Sequence, residues 1–382
     1  MIKGPMAGRA SLTFLGVEDI ILSGEPEVTY FVEKYSGFTP YATRVETVEL
    51  EGAPPVFDSE RFVLLPRSGD LVTDMYLKVT PPFAANTPVL SSAGTLMIKY
   101  VELYIGSTMV ERLWGEYIEM KHDLEVPYSK QLALRTLTGK GTTASLAQYT
   151  IPLPFSLLKN GLPLCAFNDD VKVNIVWYPS SVFTQPIVNT RAPFKATLSV
   201  EYTYLSENEV SYIKANPQLH LFEQVQKIDF FIQQGVDTTV CPLAFMNPVK
   251  EMFFVIQNDT ARGYDYTVDG SGDQLQSLIL FFNSTDRISA DVGTPLLLRN
   301  IQALEFHTRI PDRQFYMYSF SLDPQNDAPS GHVNFSRIAN QTLKLNLATS
   351  AANRYISVWA VNYNFCYVAH DAAEVLFTNF ES

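Results

Sequence analysis

The chain has 382 residues, enough for two or three domains each with its own core, and 46% are apolar, which excludes a disordered polypeptide. Aromatics reach 13%, with 25 Phe and 20 Tyr, while charged residues make up only 18%; this balance favours strands and a surface largely covered by other subunits. With 40 acidic and 28 basic side chains the formal charge is −12, so the chain lacks the attraction that supplies most nonspecific nucleic-acid affinity, and no direct nucleic-acid partner is expected.

Residues 1–24 place Lys3 and Arg9 among small and apolar residues without a regular period, and read as an arm that becomes ordered only against a neighbour. They contain no continuous apolar stretch of the signal-peptide kind, and nowhere does the chain approach 18 consecutive apolar residues, so no membrane span is expected. Strands are predicted at 28–32, 43–50, 61–65 and 71–80, the last pair separated by the turn residues 66–70 and closed by Pro81-Pro82. Residues 96–105 and 108–113 read as a hairpin joined by Gly106-Ser107, followed by a short helix over 116–123. The small polar run 137–143 reads as a surface loop, and its Gly139-Lys140 lacks the upstream glycine of a phosphate loop. In the strand 171–178, Val171, Val173, Ile175 and Trp177 share one face, directed at a core. A strand over 197–205 closes this half.

The polar stretch 206–218, with Asn216-Pro217, is the best boundary and should hold a short helix. A second run of strands begins at about His220. Met252-Phe253-Phe254-Val255-Ile256 is uninterrupted and reads as a buried strand, and 259–273 as a Gly/Asp-rich loop with a flexible tip at its end. Further strands are predicted at 278–282, 343–347 and 355–363. Between them, Tyr316, Tyr318 and Phe320 alternate with Met317, Ser319 and Ser321, then two turns at Asp323-Pro324 and Ala328-Pro329-Ser330-Gly331 precede a short strand over 333–338. Trp177 and Trp359, about 180 residues apart, hint at duplication.

No chemistry emerges. His122, His220, His307, His332 and His370 include no pair within four residues, so metal-enzyme spacings are missing; His307 reads as a packed strand residue. There is no GxSxG. Cys165, Cys241 and Cys366 are isolated and read as buried thiols rather than a disulfide framework or a zinc site. Asp169-Asp170 reads as a solvated turn, and the sequons at Asn258, Asn283, Asn334 and Asn340 as chance. No catalytic, cofactor-binding or metal-binding residue is predicted, and the chain is expected not to be an enzyme.

Several strings carry a resemblance: Tyr316-Met317-Tyr318-Ser319-Phe320, then Pro329-Ser330-Gly331 and Asn334-Phe335-Ser336-Arg337-Ile338, together with Glu102, Ile105-Gly106, Arg112 and Gly115-Glu116. In this order and spacing the chain resembles the major capsid proteins of the nucleo-cytoplasmic large DNA viruses. The resemblance implies an all-β fold of two consecutive eight-stranded antiparallel jelly rolls, a double jelly roll with short helices in its loops. It implies an arm at 1–24, a first jelly roll at 25–206, a linker at 207–217 and a second jelly roll at 218–382. The implied partners are the chain itself as a homotrimer, neighbouring capsomers, and minor capsid and penton proteins, in a virion capsid assembled in host cytoplasm. Gly106, Gly115, Glu116, Tyr318, Pro329, Ser330, Gly331, Asn334, Phe335, Ser336 and Arg337 are expected to be structural. A minor capsid paralogue or a lectin-like attachment protein is the alternative.

Overall fold

A computed structural model describes residues 9, 12, 16–27, 29–33, 35–268, 270, 272–369 and 371–377. The chain falls into two compact units, Met1–Pro40 and Tyr41–Ser382. The first contains the helix α1 (Val17–Ser23), entered where the Gly16 amide donates to Asp19 Oδ2 at 2.8 Å; none of its residues is buried. Residues 29–32 form a turn and a bend instead of the expected strand, whose first residue, Val28, lies outside the described residues. Tyr30 and Phe31 are more than nine-tenths exposed, and without a partner strand no ladder forms there.

The second unit opens with β1 (Ala42–Glu49), β2 (Glu60–Leu64), β3 (Leu71–Thr80), β4 (Ile98–Ile105), β5 (Thr108–Trp114), β6 (Tyr149–Pro152), β7 (Leu162–Pro163), β8 (Val171–Trp177) and β9 (Lys195–Tyr204). They form two sheets, ordered β1-β9-β3-β6 with β7 on β3, and β2-β8-β4-β5. A helix, α2 (Ala93–Leu96), occupies the expected start of β4. Two others, α3 (Gly115–Glu125) and α4 (Gln131–Thr138), fill the connection from β5 to β6.

After the helix α5 (Glu207–Ala215) come β10 (Gln218–Ile232), β11 (Thr238–Leu243), β12 (Pro248–Asn258), β13 (Leu275–Phe282), β14 (Thr285–Ile288), β15 (Tyr316–Ser319), β16 (Val333–Asn334), β17 (Gln341–Leu347), β18 (Arg354–Ala369) and β19 (Ala372–Val375). The sheets are β10-β18-β12-β15, carrying β16 and β19, and β11-β17-β13-β14. Every pairing between these strands is antiparallel, as in β1 with β9, β3 with β9 and β12 with β18.

Each half therefore has eight principal strands in two four-stranded sheets, and the two connectivities are identical: first with last, third and sixth in one sheet, second with seventh, fourth and fifth in the other once the short β7, β16 and β19 are set aside. This is the jelly roll, twice. The duplication is real at this level, but the tryptophans do not report it. Trp177 lies on β8, whose counterpart is β17, whereas Trp359 lies on β18.

Two other expectations need correcting. His307 is not on a strand: residues 296–306 form a π-helical turn continued by α6 (Gln302–Phe306), and His307 caps it. Only Val333 and Asn334 of the expected 333–338 strand pair as a strand, because Phe335–Arg337 turns as a 3-10 helix and buries Phe335.

Candidate functional site: the joint between the two sandwiches

β12 shows why Met252–Ile256 is apolar without interruption. Met252, Phe254 and Ile256 point into the second sandwich's core, while Phe253 and Val255 join the core of the first. β18 does the same, with Ile356, Val358 and Ala360 on one side and Trp359 and Val361 on the other. The sheet β10-β18-β12-β15 is thus a wall shared by both sandwiches, buried on two faces, and period-2 alternation is lost where both faces are dry.

From the first half, α3 supplies the opposing surface. Its position is fixed at Gly115, where a Cβ would lie 2.3 Å from the carbonyl oxygens of both Ile98 and Thr95. Tyr117 meets Phe253 edge-on at 6.1 Å between centroids. Glu116 pairs with Lys227 of β10 at 3.1 Å, and that amine lies 5.0 Å above the Trp359 ring.

Further along the same helix, Glu119 and Asp123 are buried. Arg313, from the second half, donates to Glu119 Oε1 at 2.7 Å, to Asp123 Oδ2 at 2.9 Å and to Ser92 Oγ at 3.0 Å. Lys140 donates to Glu119 at 2.9 Å and also to Asp123, and the hydroxyls of Ser92 and Thr95 complete the Glu119 shell at 2.7 and 2.9 Å. Burial opposes ionisation of Glu119, but Arg313 and Lys140 outweigh it and hold the carboxyl well below its usual range. Two carboxylates face two cations, with the remaining lone pairs satisfied: the condition under which a buried ion network is tolerated.

The 137–143 segment is accordingly not a plain surface loop: Thr138 and Gly139 are buried and the Lys140 amine is drawn inward. Asp273, placed at a flexible tip by its neighbours' composition, is instead held by Arg299 and by the Tyr316 hydroxyl at 3.1 Å.

The residues singled out in the sequence are spread over three places. Gly106 takes φ +58 in the β4–β5 turn, its amide donating to Asp170 O at 2.8 Å. Gly115 and Glu116 belong to the joint. The others build one corner of the second sandwich. Phe335 is fully buried against Phe245, Phe282 and Phe320, its amide donating to Asn247 O at 3.1 Å. Ser336 Oγ accepts the Asn247 amide at 2.8 Å, and Asn334 pairs with Pro248. Tyr318 packs edge-on against Phe320, with the Arg287 guanidinium 5.5 Å from its ring centroid. Ser330 Oγ closes the loop on Asp323, accepting its amide at 2.8 Å and donating to its carbonyl at 2.9 Å. Gly331 takes φ +145 with Phe320 O 3.1 Å from where a Cβ would sit. Pro329 and Arg337 are exposed.

Sequence reading missed the ionic joint. Its signal was a pair of acids four apart on a predicted helix, Glu119 and Asp123, but the partners Lys140 and Arg313 are 17 and 190 residues from Asp123. Among the described residues no group of three or more His, Cys, Asp or Glu could hold a metal ion, and no helix is long and apolar enough to cross a membrane.

Two family models match in succession, one described as major capsid protein N-terminus over residues 29–213 and one as large eukaryotic DNA virus major capsid protein over 209–375. The chain is 27% identical to the major capsid protein of Pyramimonas orientalis virus, covering 97% of this chain and 99% of that one. It is 23% identical to that of Paramecium bursaria Chlorella virus 1, over 90% and 87%. Among solved structures, a PBCV-1 virus capsid chain superposes with a TM-score of 0.82 at 20% identity, covering 92% of this chain and all of that one. The Faustovirus major capsid protein gives 0.76 at 11% identity, over 95% and 97%. With consecutive matches across both jelly rolls, the chain belongs to the major capsid protein family of the large eukaryotic DNA viruses, a family of structural proteins rather than enzymes.

Proposed function

We propose that this chain is the repeating brick of an icosahedral double-stranded DNA virus shell, and that three copies close into a pseudo-hexagonal capsomer of six jelly rolls. The observation that carries the reading is the shared wall: two sandwiches of identical connectivity are fused through a sheet buried on both faces and clamped by buried ion pairs. Such a block is stiff enough to present two sides of a hexagon. In this reading residues 1–24 are an arm, 25–206 and 218–382 the two jelly rolls, and 207–217 the linker.

Neighbouring capsomers, and minor capsid and penton proteins, are the proposed partners, with assembly in host cytoplasm. The formal charge of −12 fits a protein that contacts other proteins rather than packaged nucleic acid. Permanent interfaces typically bury about 2,000–5,000 Å². Light scattering of the purified chain, followed by electron microscopy of its particles, tests the reading. A threefold mass and hexagonal outlines are expected; a strictly monomeric species at high concentration overturns it.

A further inference from the structure

A second buried group of charges lies in the joint, and its composition exceeds what clamping requires. Glu111 on β5 and Lys121 on α3 come from the first sandwich; Glu223 on β10, Lys250 and Glu251 on β12, and His307 after α6 come from the second. The five acidic and lysine residues are each at most 8% exposed, and the His307 side chain is 3% exposed.

Both lysines are committed elsewhere. Lys250 Nζ reaches Glu223 at 2.6 Å and Pro324 O at 2.5 Å, while Lys121 Nζ lies 3.4 Å from Glu125. That leaves Glu111 and Glu251. Each oxygen of Glu111 accepts the Ser156 amide at 3.0 Å, and one also receives the Leu157 amide at 3.5 Å. Glu251 has Lys250 at 3.9 Å and His307 Nε2 at 3.5 Å, and its Oε2 makes no hydrogen bond among the described residues. The buried Tyr117 phenol also faces this group. Lys250 is thus paired with the buried Glu223 and Lys121 with the exposed Glu125, which leaves the buried Glu111 and Glu251 without a cation of their own.

We propose that Glu111 and Glu251 form a proton-gated lock: each carries a proton while the sandwiches are held tightly, and their ionisation as pH rises through neutrality loosens the joint. Burial is the main cause, raising Glu111 to about 8, with the Ser156 and Leu157 amides pulling partly back, and Glu251 to about 7, with Lys250 opposing. His307 cannot supply the missing cation, because burial, reinforced by Lys250, lowers it to about 4.

In the unfolded chain both carboxyls ionise in the ordinary range, so the folded state binds more protons until their raised values are passed. Stability therefore falls as pH rises from the ordinary carboxylate range to about 8. The lowered His122, His220 and His307 act in the opposite sense, an effect that is half complete at about pH 6.5 and fades over the next unit. Between about pH 6.5 and 8 the two carboxyls are isolated by comparing the unaltered chain with a variant lacking both, since the histidine contribution is common to the two.

Urea unfolding of the full chain across that window, with hydrogen exchange at the Ser156 and Leu157 amides, tests the lock. The unfolding constant is expected to rise with pH by up to about tenfold per unit for each carboxyl still protonated. Exchange at both amides should quicken in parallel. Glu251→Gln and Glu111→Gln should each remove one share, and the double variant should show no fall in stability with rising pH. Infrared spectra of the unaltered chain should show a protonated-carboxyl band that disappears across the same window, which keeps the test decisive if a variant fails to fold. An unaltered profile that matches that of the double variant, or the absence of that band at the acid end, overturns the proposal. None of these readouts depends on the oligomer, so failure here is distinguishable from failure of the capsomer reading.

Discussion

Arg313 lies 194 positions after Glu119, yet its guanidinium donates to that carboxylate at 2.7 Å and to Asp123 on the next helical turn at 2.9 Å. One side chain from the second jelly roll thus fastens two turns of a helix belonging to the first. One guanidinium nitrogen donates to both carboxylates while the other holds Ser92 Oγ, a spread of three contacts that a lysine's single ammonium at that position would cover poorly. Arg313→Ala leaves Glu119 and Asp123 with Lys140 alone, and removing one partner of a buried pair typically costs about 3–5 kcal/mol. Urea denaturation should show that loss, with Arg313→Lys intermediate. The acid side follows from Glu119, which is held below its ordinary range. Its contribution is complete above the usual carboxylate pKa and is lost as pH falls below it, so the difference between Arg313→Ala and the unaltered chain should narrow in strong acid.

Gly115 is where the same helix begins, and the space beside it is closed by backbone rather than by side chains that could swing away. A methyl group there would meet the Ile98 and Thr95 carbonyl oxygens at 2.3 Å. Gly115→Ala must therefore displace the start of α3 from α2 and β4 and disturb its fit in the joint, and overpacking of this kind costs about 1–3 kcal/mol or more. A lowered urea midpoint, together with weakened burial of Tyr117 in near-ultraviolet dichroism, is the expected outcome.

The strands and their sidedness were legible because one buried face imposes period 2: Val171, Val173, Ile175 and Trp177 are all buried on β8. The run at 252–256 was legible as a buried strand for the opposite reason, since both faces are covered. The clamp was not legible, because hydrophobic patterning is local whereas Lys140 and Arg313 find Glu119 only after the chain has closed. His307 misled because a histidine between Phe306 and Thr308 is equally compatible with a helix end and a strand. Residues 28–32 have the composition of a strand, but composition cannot supply the neighbour a strand needs.

The stretch from Phe335 to Arg337 places a fully buried and an exposed side chain within three residues. Phe335 is fully buried in an aromatic cluster, so Phe335→Ala should cost about 3–5 kcal/mol in unfolding experiments. Arg337 is exposed, and Arg337→Ala should alter stability by no more than about 0.5 kcal/mol. If this corner touches a neighbouring subunit, Arg337→Ala should nonetheless lower the yield of assembled particles in electron micrographs. Unchanged particle yield would assign this corner to the second sandwich alone.

The unit Met1–Pro40 offers the cleanest separation of folding from shell building. No residue of α1 is buried, and Tyr30, Phe31 and Tyr35 are 93%, 96% and 93% exposed. Burying an aromatic of this size contributes about 1.5–3 kcal/mol, so these rings contribute little to an isolated chain and much to an arm seated on another subunit. A chain beginning at Tyr41 should keep its urea midpoint while losing particle assembly. Replacing Tyr30, Phe31 and Tyr35 together by Ser in the full chain should do the same without altering its length. A large drop in the urea midpoint of the full-length triple variant would mean that the rings support the fold of their own chain, and the arm would then have no part in joining subunits.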